Sequence, residues 1–455
     1  MPKISFKIYT LGCKVNQYDS GALAAKFQAA GFVMDNNNAD LAVINTCAVT
    51  KTALRKGRQM VARARKENPR AKIAVVGCAV KIYKEEVEKW GADLVVEGNN
   101  IKKIIESIGI INVKIYKNCH SGLDPESRNL KRPSNNLSGS RLGGRDDIAR
   151  KSRYFLKVQD GCRQFCSYCV IPYARGELSS RPAAEVLAEA QIVAEAGIKE
   201  IVLCGIHLGL YGVDRITRNL PRRPASPELQ RGEQAGAQRI TNLTALLKEL
   251  IKIKNLSRIR LSSIEVNEVT DELIDLLKKE RKLCRQLHIP LQSGCDKILK
   301  LMNRPYTAKT FEEKVKKIRK ALPDIAITTD VIVGFPGETK IDFRATTSFI
   351  KKINVSKLHV FPFSAHERTL AAKMVDQVDE TVKKIRAKKI NDLSCSLEKA
   401  YTERFINKPL EVIIDGRSRG RSLRGRTEYN FDIKFISGKK YCQGEVAQVK
   451  NWELL

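Results

Sequence analysis

Short apolar runs alternate with amphipathic stretches along most of this chain. In the first hundred residues the β-rich runs are 6–13, 41–47 and 73–78, for example Leu41-Ala-Val-Ile-Asn-Thr-Cys47. Between them, 20–30 and a basic stretch at 53–68 carry helical patterning and stop at Gly31 and Pro69. Strand-like runs separated by helices predict a parallel α/β sheet. The alternation then repeats about six times, which predicts a central partial (β/α)6 barrel. Its strands are expected at 154–159, 200–204, 258–263, 286–291, 326–333 and 357–363, with helices such as 183–196 and 241–254 between them. The last stretch changes period. Residues 410–415 alternate, an arginine-rich Gly/Ser turn follows at 416–426, and 429–436, 441–442 and 446–449 are further short β runs. That pattern predicts a small β-barrel, comparable with oligonucleotide-binding barrels.

Two stretches fit none of these periods. Residues 117–150 and 214–240 are rich in Ser, Asn, Gly, Pro and Arg, with almost no apolar periodicity. They read as polar inserts that cannot bury enough apolar surface to offset the entropy of ordering. The expected organisation is an N-terminal domain at 1–116, a linker at 117–151, a core at 152–375 interrupted by 214–240, a connecting helix at 376–407, and the small barrel at 408–455. At 43% hydrophobic the chain has ample material for these cores.

The net charge is +32. The two inserts hold 13 Lys and Arg against 7 Asp and Glu, so they account for +6 of it and +26 remains on the structured body. Such an excess favours a polyanionic partner, most simply nucleic acid. Arg417, Arg419, Arg421, Arg424 and Arg426 lie in or near one turn of the barrel, a density suited to phosphates; a solvated loop is the plainer reading. No run approaches the ~18 consecutive apolar residues of a membrane helix, and the start, Met1-Pro-Lys-Ile-Ser-Phe-Lys, is not patterned as a signal peptide. The expectation is a cytoplasmic monomer.

The sharpest chemistry is a C-x3-C-x2-C run: Cys162, Cys166 and Cys169. Zinc usually takes paired motifs giving four ligands, yet Cys166 and Cys169 form the only C-x2-C and no H-x3-5-H follows. The 12 cysteines in 455 residues are too sparse for a disulfide scaffold. Three thiolates suit a 4Fe-4S cluster with one iron open, and an open position marks a reactive site. A second set is spread more widely. Cys13, Cys47 and Cys78 each follow the end of a predicted strand, and in an open parallel sheet those ends share one edge.

These runs resemble the radical S-adenosylmethionine (SAM) methylthiotransferases over nearly the whole chain outside the inserts. The motifs are Thr10-Leu-Gly-Cys-Lys-Val-Asn16, Ile44-Asn-Thr-Cys47, Val76-Gly-Cys78, Gly161-Cys-Arg-Gln-Phe-Cys-Ser-Tyr-Cys169, Ile171-Pro-Tyr-Ala-Arg-Gly176, His288-Ile-Pro-Leu-Gln-Ser-Gly294 and Val331-Ile-Val-Gly-Phe-Pro-Gly-Glu338. The terminal barrel resembles the family's RNA-binding TRAM domain. Of the family's three branches, the opening Leu-Gly-Cys-Lys-Val-Asn and the run Gly205-Ile-His-Leu-Gly209 are most similar to the one acting on threonylcarbamoyladenosine at tRNA position 37.

The resemblance implies two 4Fe-4S clusters. One, on Cys162, Cys166 and Cys169, would chelate SAM and cleave it to a deoxyadenosyl radical. The other, on Cys13, Cys47 and Cys78, would deliver sulfur. A second SAM methylates that sulfur, and the product is a 2-methylthio group on adenine. An external electron donor and sulfur source are implied as partners, beside tRNA. Tyr168, Gly205, Gln292, Ser293, Gly294 and Gly334 are candidate SAM contacts, since glycine at a strand exit lets backbone approach a ligand; turn formation and ordinary packing are their bland alternatives. Cys295 stands where relatives commonly carry Ser, and reads as packing. Two further readings stay open: methylthiolation of isopentenyladenosine or of a ribosomal protein, and a non-catalytic iron–sulfur RNA-binding protein.

Overall fold

The computed structural model describes residues 4–98, 101–107, 152–214, 240–417 and 422–455. The linker at 117–151, nearly all of 214–240, and Arg419 and Arg421 lie outside the described residues. The chain divides into two compact units, Met1–Ile148 and Ala149–Leu455.

The first unit is a parallel sheet of β1 (Ser5–Thr10), β2 (Val33–Met34), β3 (Leu41–Thr46), β4 (Lys72–Gly77) and β5 (Leu94–Val95), ordered β2-β1-β3-β4-β5. Strand β3 is buried at every position, as expected of a central parallel strand covered on both faces. Leu23 and Phe27 of the helix Lys14–Ala29 pack with Phe6, Val43 and Val76 on one face. Leu54, Val61 and Ala64 of the helix Lys51–Glu67 pack with Ile44, Ile73 and Val75 on the other. Gly57 lets that second helix lie close, since a Cβ there would stand 2.7 Å from the Trp90 ring.

The second unit begins with β6 (Tyr154–Lys157), a short antiparallel pair β7 (Gln159–Asp160) and β8 (Ser179–Ser180), then β9 (Glu200–Cys204) and β10 (Arg258–Leu261). It continues through β11 (Gln286–His288), β12 (Ala326–Val333) and β13 (Lys357–Pro362). Strands β6, β9 and β10 pair in parallel, as do β11, β12 and β13. Parallel bridges Ile259↔Leu283 and Ser263↔His288 continue one set into the other. The intervening helices start where the side chains of Asn242, Thr270, Thr307 and Thr339 accept backbone N–H groups left unpaired in a first turn. This is an α/β fold with parallel sheets.

The helix Glu380–Glu403 leads to an antiparallel sheet of β14 (Leu410–Arg417), β15 (Leu423–Thr427), β16 (Asp432–Phe435), β17 (Val446–Val449) and β18 (Glu453–Leu454), ordered β17-β14-β15-β16-β18. Here two expectations are corrected. The stretch 416–426 is not one turn: its second half is strand β15, whose Leu423, Gly425 and Thr427 point inward while Arg424 is exposed. Gly425 belongs there because Ile413 O of β14 would lie 3.0 Å from a Cβ. Residues 441–442 are not a strand. The insert expected from Asp214 also begins later. Asp214 is buried, and its carboxylate accepts the Ser180 hydroxyl at 2.5 Å and the Ser180 N–H at 3.1 Å.

Candidate metal centres

In the first unit, the register sets the ends of three neighbouring strands side by side: Thr10 faces Asn45, and Asn45 faces Val76. Cys47 and Cys78 each follow two residues beyond this line, and Cys13 three beyond it. Cys13 caps the helix Lys14–Ala29 and is exposed; Cys78 opens the helix Cys78–Ile82 and is buried, as is Cys47. Gly12, at φ +106°, brings its loop against Cys47, whose Sγ would lie 3.0 Å from a Cβ there. The polar motif residues brace these loops. Asn16 Nδ2 donates to Leu11 O and Thr46 O, and Asn45 Nδ2 donates to Asn16 O and Ser20 Oγ. Both asparagines are buried, so these bonds answer the cost of desolvating their amides.

In the second unit, the loop bearing Cys162, Cys166 and Cys169 leaves β7. Gly161 starts it at φ +75°, where a Cβ would overlap Glu177 O. Phe165 also takes a left-handed φ, +47°, which turns the chain between the first two cysteines. Cys162 N–H donates to Gly176 O, and Cys169 N–H to Cys166 O. Around the sulfurs stand donors. Arg304 Nη1 is 3.1 Å from Cys166 Sγ, Gln164 N–H donates to Cys162 Sγ at 3.4 Å, and His207 Nδ1 lies 3.4 Å from Cys162 Sγ.

Burial, then the neighbouring Cys166 charge, pushes the Cys169 thiol up to about 12, and burial also raises Cys166. Bare Cys166 and Cys169 therefore favour the thiol, and a cation that shares the sulfurs is what makes adjacent thiolates tolerable there. Among the described residues, no three His, Cys, Asp or Glu side chains already stand in a metal-holding arrangement. The fit to iron–sulfur clusters rests on the sulfur donor set, the shared strand edge and the N–H groups directed at sulfur.

The sequence singled out neither His207 nor Arg304 for a role. His207 is buried, its backbone N–H donates to Gln159 Oε1 at 2.7 Å, and its ring Nε2 lies 2.5 Å from Glu268 Oε1. Arg304 pairs with Glu265. The available signal was position: His207 stands shortly after a core strand end, within the run Gly205-Ile-His-Leu-Gly209 already noted for its resemblance to one branch.

The candidate SAM contacts are differently placed. Where Gly294 would carry a Cβ, Phe349 and Thr346 of the helix Lys340–Ile353 stand at 2.7 and 2.9 Å. Gly334, at φ +70°, abuts Lys383. Ser293 is fully buried, with Oγ 3.1 Å from Thr346 Oγ1. Gln292 takes φ +65° where it bridges Val331. Gly294, Gly334 and Ser293 thus each lie against protein atoms. Gly205 stands nearer the cysteine loop, with Gln159 Oε1 3.0 Å from where its Cβ would be. Tyr168 packs on the cluster of Ile298, Met302, Phe335 and Phe363, and burial raises its phenol. Cys295 donates to Asp342 Oδ1 at 3.4 Å.

Of the arginines, Arg424 is exposed on β15, whereas Arg426 is held bidentate by Asp432, with Nε and Nη2 each 2.6 Å from a carboxylate oxygen. Arg417 ends β14.

The model of the radical SAM superfamily matches residues 156–350, and that of uncharacterized protein family UPF0004 matches residues 5–97. The chain is 39% identical to the threonylcarbamoyladenosine tRNA methylthiotransferase MtaB of Bacillus subtilis, over 89% of this chain and 83% of that one. It is 33% identical to MtaB of Thermotoga maritima, over 95% and 92%. With a tRNA-2-methylthio-N(6)-dimethylallyladenosine synthase of Thermodesulfovibrio yellowstonii it shares 31%, over 97% and 95%. Among solved structures, the radical SAM methyltransferase TsrM from Kitasatospora setae aligns at a TM-score of 0.54 and 17% identity, over 82% of this chain and 77% of that one, a likeness of fold alone.

Proposed function

The chain belongs to the radical SAM methylthiotransferases, and from that premise we propose that it methylthiolates carbon 2 of N6-threonylcarbamoyladenosine at position 37 of tRNA. The observation that carries this reading is the 39% identity with the Bacillus subtilis threonylcarbamoyladenosine enzyme, against 31% with the dimethylallyladenosine synthase. The protein is an enzyme that uses SAM and 4Fe-4S clusters.

In this reading Cys162, Cys166 and Cys169 hold one cluster and Cys13, Cys47 and Cys78 the other. When bound, the clusters supply the electron that cleaves SAM and the sulfur that is transferred. The chain's own work is to orient and exclude. Gly161 and Phe165, both at positive φ, turn the loop that carries the three thiols. Asn16 and Asn45 tie the loops after β1 and β3 to each other and to the helix Lys14–Ala29. The six parallel strands act as a partial (β/α)6 barrel, with Gly205 beside the cysteine loop.

The C-terminal sheet serves as a TRAM-like module, with Arg417, Arg419, Arg421 and Arg424 offered to tRNA phosphate. The charge of +32 supports that role. An electron donor and a sulfur source come from outside the chain. A monomer in the cytoplasm is the simplest setting; among the described residues no helix is long and apolar enough to cross a membrane.

The test is an anaerobic reaction of reconstituted protein with SAM, a reductant and sulfide. The substrates are tRNA bearing threonylcarbamoyladenosine, tRNA bearing dimethylallyladenosine, and ribosomal protein. A 2-methylthio product on the first alone supports the reading; product on either of the others alone refutes it.

A further inference from the structure

Four consecutive residues far downstream grip the cysteine loop. Leu301 O accepts the Ser167 hydroxyl at 2.7 Å, and Met302 O accepts the Ser167 N–H at 3.1 Å. Asn303, in the left-handed region at φ +57°, donates from its side chain to Phe165 O at 3.1 Å, while its carbonyl accepts from the Gln164 side chain at 3.4 Å. Arg304 completes the series with its N–H on Cys166 Sγ, across 138 residues of sequence.

Arg304 is not free to choose another partner. Its side chain is 3% exposed, and one arm pairs with Glu265. Its Nε donates to the Tyr306 hydroxyl at 3.0 Å, and the guanidinium lies over the Tyr306 ring, 4.9 Å from the centroid. That hydroxyl is itself directed at the carbonyls of Pro290 and Leu291, at 2.9 and 3.1 Å. A guanidinium fixed on three sides presents one N–H to one sulfur.

We propose that Arg304 is a positioning residue that sets the reduction potential of the cluster on Cys162, Cys166 and Cys169, through its hydrogen bond to the Cys166 sulfur. The inference rests on the reading that Cys166 is a cluster ligand. One-electron reduction adds a negative charge to the cluster, and a hydrogen-bond donor at a ligand sulfur stabilises that added charge, so the potential rises. Glu265 works against it, because its carboxylate offsets much of the guanidinium charge beside the same sulfur. The two residues therefore act with opposite signs.

The experiment is an anaerobic redox titration of the full-length, reconstituted protein with dithionite, read by electron paramagnetic resonance without SAM. The C162A/C166A/C169A variant identifies the signal of this cluster by its disappearance. In R304Q the midpoint is expected to move to more negative potential, with the reduced-to-oxidised ratio at fixed poise falling about tenfold, or about 59 mV for a one-electron couple. In E265Q it is expected to move to less negative potential. R304K, which keeps a charged N–H donor, is expected to lie between R304Q and the parent. A residue that merely held the loop in place would move R304Q and E265Q in the same direction.

If the signal vanishes in the triple cysteine variant but R304Q and E265Q leave the midpoint unmoved, or shift it together, the inference is overturned and the ligand reading stands. If the signal survives in the triple variant, the ligand reading itself is wrong. Should R304Q fail to hold iron, E265Q and R304K decide the matter: a rise in E265Q with R304K at or below the parent supports the inference, and any other pair of shifts overturns it.

Discussion

Arg260 and Glu200 form a fully sequestered ion pair, Nε to Oε1 at 2.9 Å, with side chains 3% and 2% exposed. The pair joins adjacent strands β10 and β9, and it reaches beyond them. The same guanidinium donates to Thr427 O at 2.9 Å and Glu428 O at 3.1 Å, while its neighbour Arg258 donates to Arg426 O at 3.1 Å and to Glu411 Oε1 at 3.0 Å. Two arginines of the core sheet thus carry the C-terminal sheet. Arg260→Met would leave Glu200 buried with Arg258, 3.8 Å away, and the weaker field of Arg153 to answer its charge. Removing one partner of a buried pair costs about 3–5 kcal/mol. We expect a loss of that size in urea unfolding, together with faster proteolysis after residue 403; unchanged stability would mean that the pair adds nothing to the docking.

The first unit carries an acid-sensitive network. Glu67 accepts from the Tyr9 hydroxyl at 2.6 Å, from Lys7 at 2.9 Å and from Arg63 at 2.6 Å, and these partners hold its carboxyl down from 4.5 to about 2. A pKa lowered by folding contributes stability above the unfolded value, and that stability is lost as pH falls through the folded one. The stability gap between the parent and Glu67→Gln should therefore be constant above about pH 5 and shrink between pH 4.5 and about 2. Denaturant midpoints against pH measure it, and a gap independent of pH would contradict the network.

Much of the fold was legible because the buried strands are written as apolar runs. Residues 200–204 and 326–333 are strands with those same ends. Strand β15 was not legible: glycine and arginine have the composition of a turn, and only the pairing of Gly425 with Ile414 gives Leu423-Arg-Gly-Arg-Thr427 its alternation. Asp214 was hidden for a related reason, since a carboxylate at the head of a polar stretch shows no sign of Ser180 folding back onto it. Cys162, Cys166 and Cys169 stand out by their spacing, and Cys13, Cys47 and Cys78 by their places after three predicted strands. The residues that surround them were not, because Arg304 meets Cys166 across 138 positions and no local period records such a contact.

The arginines of the C-terminal sheet separate into two kinds. Arg424 is exposed, while Arg426 is committed to Asp432. Each phosphate contact contributes a slope of roughly −0.9 in log affinity against log salt on duplex nucleic acid. Changing Arg417, Arg419, Arg421 and Arg424 to Ala should weaken tRNA binding and flatten that slope. Arg426→Ala alone should lower the stability of the sheet with little change in slope. Filter binding at several salt concentrations decides, and an unchanged slope in the quadruple variant would move the RNA-binding role to the exposed face of the helix Lys51–Glu67, with Arg55, Lys56, Arg58 and Arg63.

Two separate cysteine sets predict two separate clusters. Anaerobic reconstitution should load about eight irons if each set holds a four-iron cluster. Changing Cys162, Cys166 and Cys169 to Ala should leave about four, and SAM cleavage should cease. A triple variant with no iron would remove the cluster at Cys13, Cys47 and Cys78 from the account.

The central claim is the nucleoside. Mass spectrometry of tRNA nucleosides from cells with and without this gene tests it most directly. Loss of the protein should abolish 2-methylthio-threonylcarbamoyladenosine, let the unmodified threonylcarbamoyladenosine accumulate, and leave 2-methylthio-dimethylallyladenosine unchanged. Persistence of the first with loss of the last would contradict the account.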